Sequence, residues 1–191
     1  VVTFQSIYER AADRKGGRDA LEALFLPLKS PEDLKSIPDD RWLAEMTKRI
    51  FQAGFSWQVI ENKWPGFEDA VHQFDTGRCA MLSDEDIDSL LQNREIVRNG
   101  AKIATVPHNA AFLNELASEH GSAAAFFADW PTDDFAGLLT ILKKRAKHLS
   151  GTAGQVFLRG MGKDGFMLGK DVIAALVSAG IIERHQHRRK P

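Results

Sequence analysis

Apolar residues recur along this chain at three- and four-residue spacing, and the strict alternation that marks a half-buried strand is almost absent. That period narrows the folding problem sharply. Stripes on helices must be buried against other helices, so the expected fold class is all-α, with about ten helices. Phe4, Ile7, Tyr8 and Ala11 form one such stripe, broken by Gly16-Gly17, and Ala20, Leu21, Leu24 and Phe25 begin another. Pro27, Pro31 and Pro38 punctuate a loop-rich stretch. Asp39-Asp40 is expected to cap a helix carrying Trp42, Leu43, Met46, Ile50 and Phe51 that stops near Gly54. Ser56 reads as the next cap, and Pro65 as the first turn of a separate helix. Ser83-Asp84-Glu85-Asp86 reads as a cap with an acidic first turn. A long helix kinked at Pro107 is expected from about Arg94 to Ser118, and helical stretches follow at 123–128 and 135–147. Leu149 to Gly154 then forms a glycine-punctuated turn, and a last helix begins near Lys170.

With 191 residues, one compact domain or two closely packed lobes is expected, here residues 1–183, followed by a basic tail at 184–191. The formal net charge of −1 does not announce a nucleic-acid binder, so a DNA role requires cations gathered on one face. Cys79 is the one cysteine, which excludes an internal disulfide and a multi-cysteine zinc cluster. No basic, apolar leader and no run long enough for a membrane helix is evident, and a cytoplasmic monomer is expected. A phosphate loop, a dinucleotide fingerprint and a Gly-x-Ser-x-Gly elbow are missing; Gly160, Gly162 and Gly165 follow no strand.

Two regions carry chemistry. The first spans 138–176. Ser150, Gly151, Thr152, Ala153 and Gly154 join two helices, with Lys143, Lys144, Arg145 and Lys147 just before them. Glycine in such a turn admits close approach of a phosphate, and the amides of the following helix start then face the anion. The segment resembles the helix-hairpin-helix of DNA glycosylases. That resemblance implies sequence-independent docking on duplex DNA, with room for a monovalent cation at the hairpin. In that superfamily a carboxylate about twenty residues on stabilises the oxocarbenium ion of the sugar or orients water. Asp171 stands at that spacing from Gly151. Read without the family, Asp171 is a helix cap.

The second region is aromatic. Gln52-Ala53-Gly54-Phe55-Ser56-Trp57 is followed by Phe67 and by His72-Gln73-Phe74-Asp75, then by Asp84-Glu85-Asp86, Ile96-Val97-Arg98 and Lys102-Ile103. From about Met46 to Leu113 this resembles the 3-methyladenine DNA glycosylase I family. The resemblance implies a bilobal helix-hairpin-helix glycosylase fold and base excision: a damaged purine is swung out of the duplex, stacked on aromatic rings and released by hydrolysis. Trp57 corresponds to the family's pocket tryptophan, where a cationic base gains roughly 1–2 kcal/mol from the indole face once water is excluded. Phe4, Tyr8 and Phe55 are further candidate walls. Without the family, Trp57, Phe4 and Tyr8 read as core residues.

The chain departs from the family in three places. The glutamate that contacts the lesion base is replaced by Arg49, and Glu45, one turn earlier, either takes over the contact or pairs with Arg49. The family's zinc ligands, two cysteines and two histidines, have no counterpart; His185 and His187 read as tail residues, and no zinc or other cofactor is expected. The family also lacks a catalytic carboxylate at the position of Asp171. Three functions remain open at this point: a monofunctional glycosylase acting on alkylated purines in damaged duplex DNA, with no Schiff-base lysine because Ala153 holds that place; a catalytically inactive protein binding distorted DNA; and a helical interaction module.

Overall fold

A computed structural model describes residues 3–183. The tail at 184–191, with His185 and His187, lies outside the described residues. Among the described residues there are thirteen α-helices and two 3₁₀ turns and no strand; four of the helices have five residues or fewer. No helix among them is long and apolar enough to cross a membrane. The chain divides into two compact units. One is Leu28–Phe166; the other joins the N-terminal segment through Pro27 to the C-terminal segment from Met167.

The second unit holds α1 (Phe4–Lys15) and α2 (Arg18–Glu22). Thr3 caps α1 through its side chain, and Gly16 ends it in the left-handed conformation that glycine adopts without strain.

The larger unit is built around α4 (Asp39–Gln52), which buries Trp42, Leu43, Met46, Ile50 and Phe51 along one stripe. Each such side chain contributes roughly 1.5–3 kcal/mol. Before it, α3 (Pro31–Lys35) occupies the stretch expected to be loop, with Ser30 as its cap. α5 (Trp57–Ala70) is continuous through Pro65, which corrects the expectation of a helix start there. The next residue, Gly66, packs closely on a later stretch of the chain, since a Cβ at that position would lie 2.5 Å from the Glu95 carbonyl. Buried Ile60 and Phe67 hold the two halves of α5 on the core.

His72, Gln73 and Phe74 then run consecutively at positive φ, an uncommon left-handed turn for non-glycine residues. The Arg41 guanidinium fixes it by donating to the Gln73 carbonyl while forking onto Glu68, and Phe74 stacks on Trp64. Asp75 caps α6 (Thr76–Ala80). Ser83 and Asp86 form a reciprocal capping box on α7 (Asp84–Gln92).

The expected long helix is instead α8 (Gly100–Ile103) and α9 (Thr105–His120), with Pro107 in the first turn of α9, where a missing N–H costs nothing. α10 (Ala123–Asp129) stacks Phe127 on Trp42. Asp39, expected to cap its own helix, accepts from the amides of Ala123 and Ala124 and so caps α10 instead. α11 (Phe135–Arg145) and α12 (Thr152–Met161) follow. The last helix, α13 (Lys170–Ser178), belongs to the other unit.

Candidate functional site

The segment between α4 and α5 reverses the chain in four residues. Gly54 takes φ +82°, and Trp57 is the first residue of the new helix. A side chain at a helix start behind such a turn has no preceding helical turn to cover it, and Trp57 is 57% exposed. Its indole forms one wall of a cleft of about 170 Å³ lined by Arg49, Gln52, Ala53, Trp57, Thr152, Ala153 and Val156. That volume lies below the ~300–1,000 Å³ typical of pockets for larger ligands and suits one small planar group.

The opposite wall belongs to the hairpin. Residues 146–151 form the turn, so Thr152, Ala153 and Gly154 lie in the first turn of α12 and not in the loop. Gly151 precedes the helix at φ +60° and ψ −131°, a combination open to glycine, and it supplies no side-chain cap. The turn is held from α9: the buried Asn109 donates to the Lys147 carbonyl at 3.2 Å and accepts from the Lys147 amide at 2.8 Å. Gly154 has a packing reason of its own, because a Cβ there would lie 2.6 Å from the Leu149 carbonyl. Ser150 and Lys147 are exposed, as are Lys143 and Lys144.

One polar network backs the cleft. Arg49 Nε donates to Glu45 Oε1 at 2.7 Å, and an Arg49 terminal nitrogen donates to Gln52 Oε1 at 2.9 Å. Gln52 Nε2 donates in turn to Glu61, whose carboxylate also pairs with Lys48 at 2.8 Å. The Arg49 guanidinium carbon lies 5.5 Å from the Trp57 ring centre. Of the two alternatives for Glu45, the structure shows the pair. Gly160 makes room for it, since a Cβ there would come 2.1 Å from Glu45 Oε1.

The other candidates sit elsewhere. Phe55 is not among the residues lining the cleft; the Lys102 ammonium lies 4.6 Å from its ring centre. Lys102 also donates to the Phe51 and Ala53 carbonyls, ending α4, and its burial lowers its pKa. Phe4 and Tyr8 are on α1 in the other unit. Phe4 is largely exposed, and the Tyr8 hydroxyl donates to Glu22, which raises its pKa. Asp171 is exposed in the first turn of α13, also in that unit, and the N-cap there is Gly169, so Asp171 is not the cap. No cluster of three or more His, Cys, Asp or Glu that could hold a metal occurs among the described residues.

Three cleft residues were not among the candidate site residues read from sequence: Val156, and Gln52 and Ala53, which stand in the motif around Trp57. Their spacing was the available signal. Gln52 and Ala53 stand three and four positions after Arg49, and Val156 four after Thr152, which puts each on the same helix face.

These features define a class: an all-helical protein in which a hairpin and an exposed tryptophan share one small cleft. The chain belongs to the methyladenine glycosylase family, whose model matches residues 36–188. A DNA-3-methyladenine glycosylase of Haemophilus influenzae is 37% identical over 59 residues, which cover 31% of this chain and 32% of that protein. The match thus spans about a third of the length of that curated relative. A crystal structure of a 3-methyladenine DNA glycosylase I superposes with a TM-score of 0.59 at 26% identity, covering 69% of this chain and 84% of that one. The Staphylococcus aureus enzyme gives 0.59 at 21% identity, covering 75% and 82%, a likeness of fold.

Proposed function

We propose that this chain is a base-excision DNA glycosylase. It receives a modified purine swung out of duplex DNA, stacks it on Trp57 and hydrolyses its N-glycosidic bond. The relatives above are named for 3-methyladenine, and an alkylated purine is the substrate class this reading takes first. The observation that carries it is the shared cleft: the indole that would stack the base and the start of the hairpin's second helix form two walls of one opening. Exposed amides at Thr152, with Lys147 beside the turn, suit a phosphate contact that positions DNA without reading it. In the reaction the water oxygen bonds to C1′, the C1′–N bond breaks with its electron pair going to the base, and the water proton is released.

The test is release of free base from alkylated duplex. Stacking on an aromatic side chain contributes about 1–3 kcal/mol, so Trp57→Ala should lower kcat/KM about ten- to hundredfold. Unchanged turnover in Trp57→Ala removes the stacking site. Salt-sensitive binding with no base release by the wild-type chain replaces this reading with a non-catalytic DNA binder. Asp171→Asn, assayed alongside, decides whether that carboxylate takes part.

A further inference from the structure

The turn between α4 and α5 has little of its own to hold it. Gly54 takes φ +82°, and Ser56 makes no side-chain cap bond. Among the described residues the Trp57 indole N–H has no hydrogen-bond partner, and the ring contact of Trp57 is with Arg49. The wall that would stack a base therefore depends on where the backbone before it is held.

That hold comes from α8. The Lys102 ammonium donates to the Phe51 carbonyl at 3.3 Å and to the Ala53 carbonyl. It also lies 4.6 Å from the Phe55 ring centre and 5.8 Å from that of Phe51. One cation thus grips the end of α4, the cleft residue Ala53 and the residue two places before Trp57. The last carbonyls of a helix have no partner within it, and a cation there meets the negative end of the helix dipole. Burial lowers the Lys102 pKa, so the ammonium has exchanged water for these carbonyls and rings. Lys102 is itself fixed: the Asn99 side chain accepts from its amide at 3.1 Å, and the Thr105 hydroxyl donates to its carbonyl at 2.7 Å. It does not line the cleft.

We infer that Lys102 is a positioning residue for base excision, acting through Trp57: its ammonium fixes the turn on which the indole stands and so sets that wall of the cleft. The inference rests on the excision reading, in which Trp57 stacks the base.

A double-mutant cycle tests it. Lys102→Met keeps the aliphatic stem and removes the donors. Misplacing a group by about 1 Å costs up to roughly a hundredfold, so kcat/KM for base release from alkylated duplex should fall about tenfold in Lys102→Met. The same change made in Trp57→Ala should cost less than about twofold, because the side chain it positions is gone. Lys102→Arg keeps the charge and the donors and should lose less than Lys102→Met. Labelling with 5-fluorotryptophan gives a readout independent of turnover. The chain has four tryptophans, and Trp57→Phe identifies the Trp57 fluorine signal. In Lys102→Met that signal should shift while those of Trp42 and Trp130 stay. Lys163→Met likewise removes a buried ammonium from two carbonyls, and it should lose stability with the Trp57 signal and kcat/KM unmoved. Equal losses from Lys102→Met with and without Trp57, or an unmoved Trp57 signal, overturn the inference. Absence of base release by the wild-type chain overturns the excision reading instead, and the Trp57 signal then still decides whether Lys102 holds the indole.

Discussion

Replacing Asn109 by alanine tests whether the hairpin is held from behind. Asn109 is fully buried on α9, and both ends of its amide are used on the Lys147 peptide groups, at 3.2 and 2.8 Å. Each bond contributes about 1 kcal/mol net, and leaving its partner short of water adds to the loss, so Asn109→Ala should cost about 2–3 kcal/mol. For a chain of this size a loss of 1 kcal/mol lowers Tm by roughly 2–4 °C, so calorimetry should show a fall of about 4–12 °C. Asn109→Asp is the sharper variant. It keeps the acceptor for the Lys147 amide but loses the donor and faces the Lys147 carbonyl with negative charge, so it should be at least as damaging. The exposed neighbour His108, with one contact to the Arg145 carbonyl, serves as control, and His108→Ala should cost under about 1 kcal/mol. If Asn109→Asp melts within about 1 °C of wild type, the bonds to Lys147 do not fix the turn.

Three further outcomes follow from the same packing. Gly154→Ala should destabilise by about 1–2 kcal/mol in urea titration although alanine favours helix, because its Cβ meets the Leu149 carbonyl; a stabilised variant would refute that contact. Lys163 is buried, its pKa lowered by desolvation, and its ammonium donates to the carbonyls of Ala128 and Trp130. Lys163→Met should therefore cost about 1–3 kcal/mol, and a neutral result would show those carbonyls satisfied otherwise. The Cys79 thiol donates to the Val71 carbonyl, and burial, then Asp75, pushes its pKa up to about 12. Its contribution is complete below the unfolded thiol pKa of ~8.5 and is lost as pH rises toward the folded value. A thiol reagent should label it only through unfolding, and fast labelling of the native chain would contradict its burial.

Much of this architecture was legible because helix signals are local. The Ser83 capping box and the break at Gly16 depend on residues within one turn, so sequence suffices to place them. What was misread depended on distant partners. Asp39 looks like a cap for its own helix and instead serves α10, more than eighty residues on. Pro65 looks like the first turn of a new helix, yet α5 runs through it from Trp57, held by Ile60 and Phe67 on the core. The same division runs through the site. The Glu45–Arg49 pair follows from its one-turn spacing, and Trp57 from the motif around it. Nothing in the sequence marks Asn109 as the clamp of a turn 38 residues away, or Lys163 as a buried cap. Phe55 shows the limit of residue type alone: it is aromatic and next to the right turn, but it packs under Lys102.

On the excision reading, the base and the strand are served by one helix. α12 is ten residues long, begins at the hairpin turn and lines the cleft. Its first turn, at Thr152 and Ala153, lines the cleft beside Trp57, and its last turn, at Gly160, abuts the Glu45–Arg49 pair. Its ends are anchored separately, by Asn109 through the preceding turn and by Lys29, which donates to the carbonyls of Met161 through its ammonium and Gly162 through its amide. A helix pinned at both ends moves as one body, since its internal hydrogen bonds resist stretching far more than its side chains resist rotation. On that reading, displacement of the hairpin by a phosphate would be felt at Gly160, which has no room for a Cβ beside Glu45. The small residue at that contact lets the helix that starts at the hairpin turn also abut Arg49, the cation of the cleft.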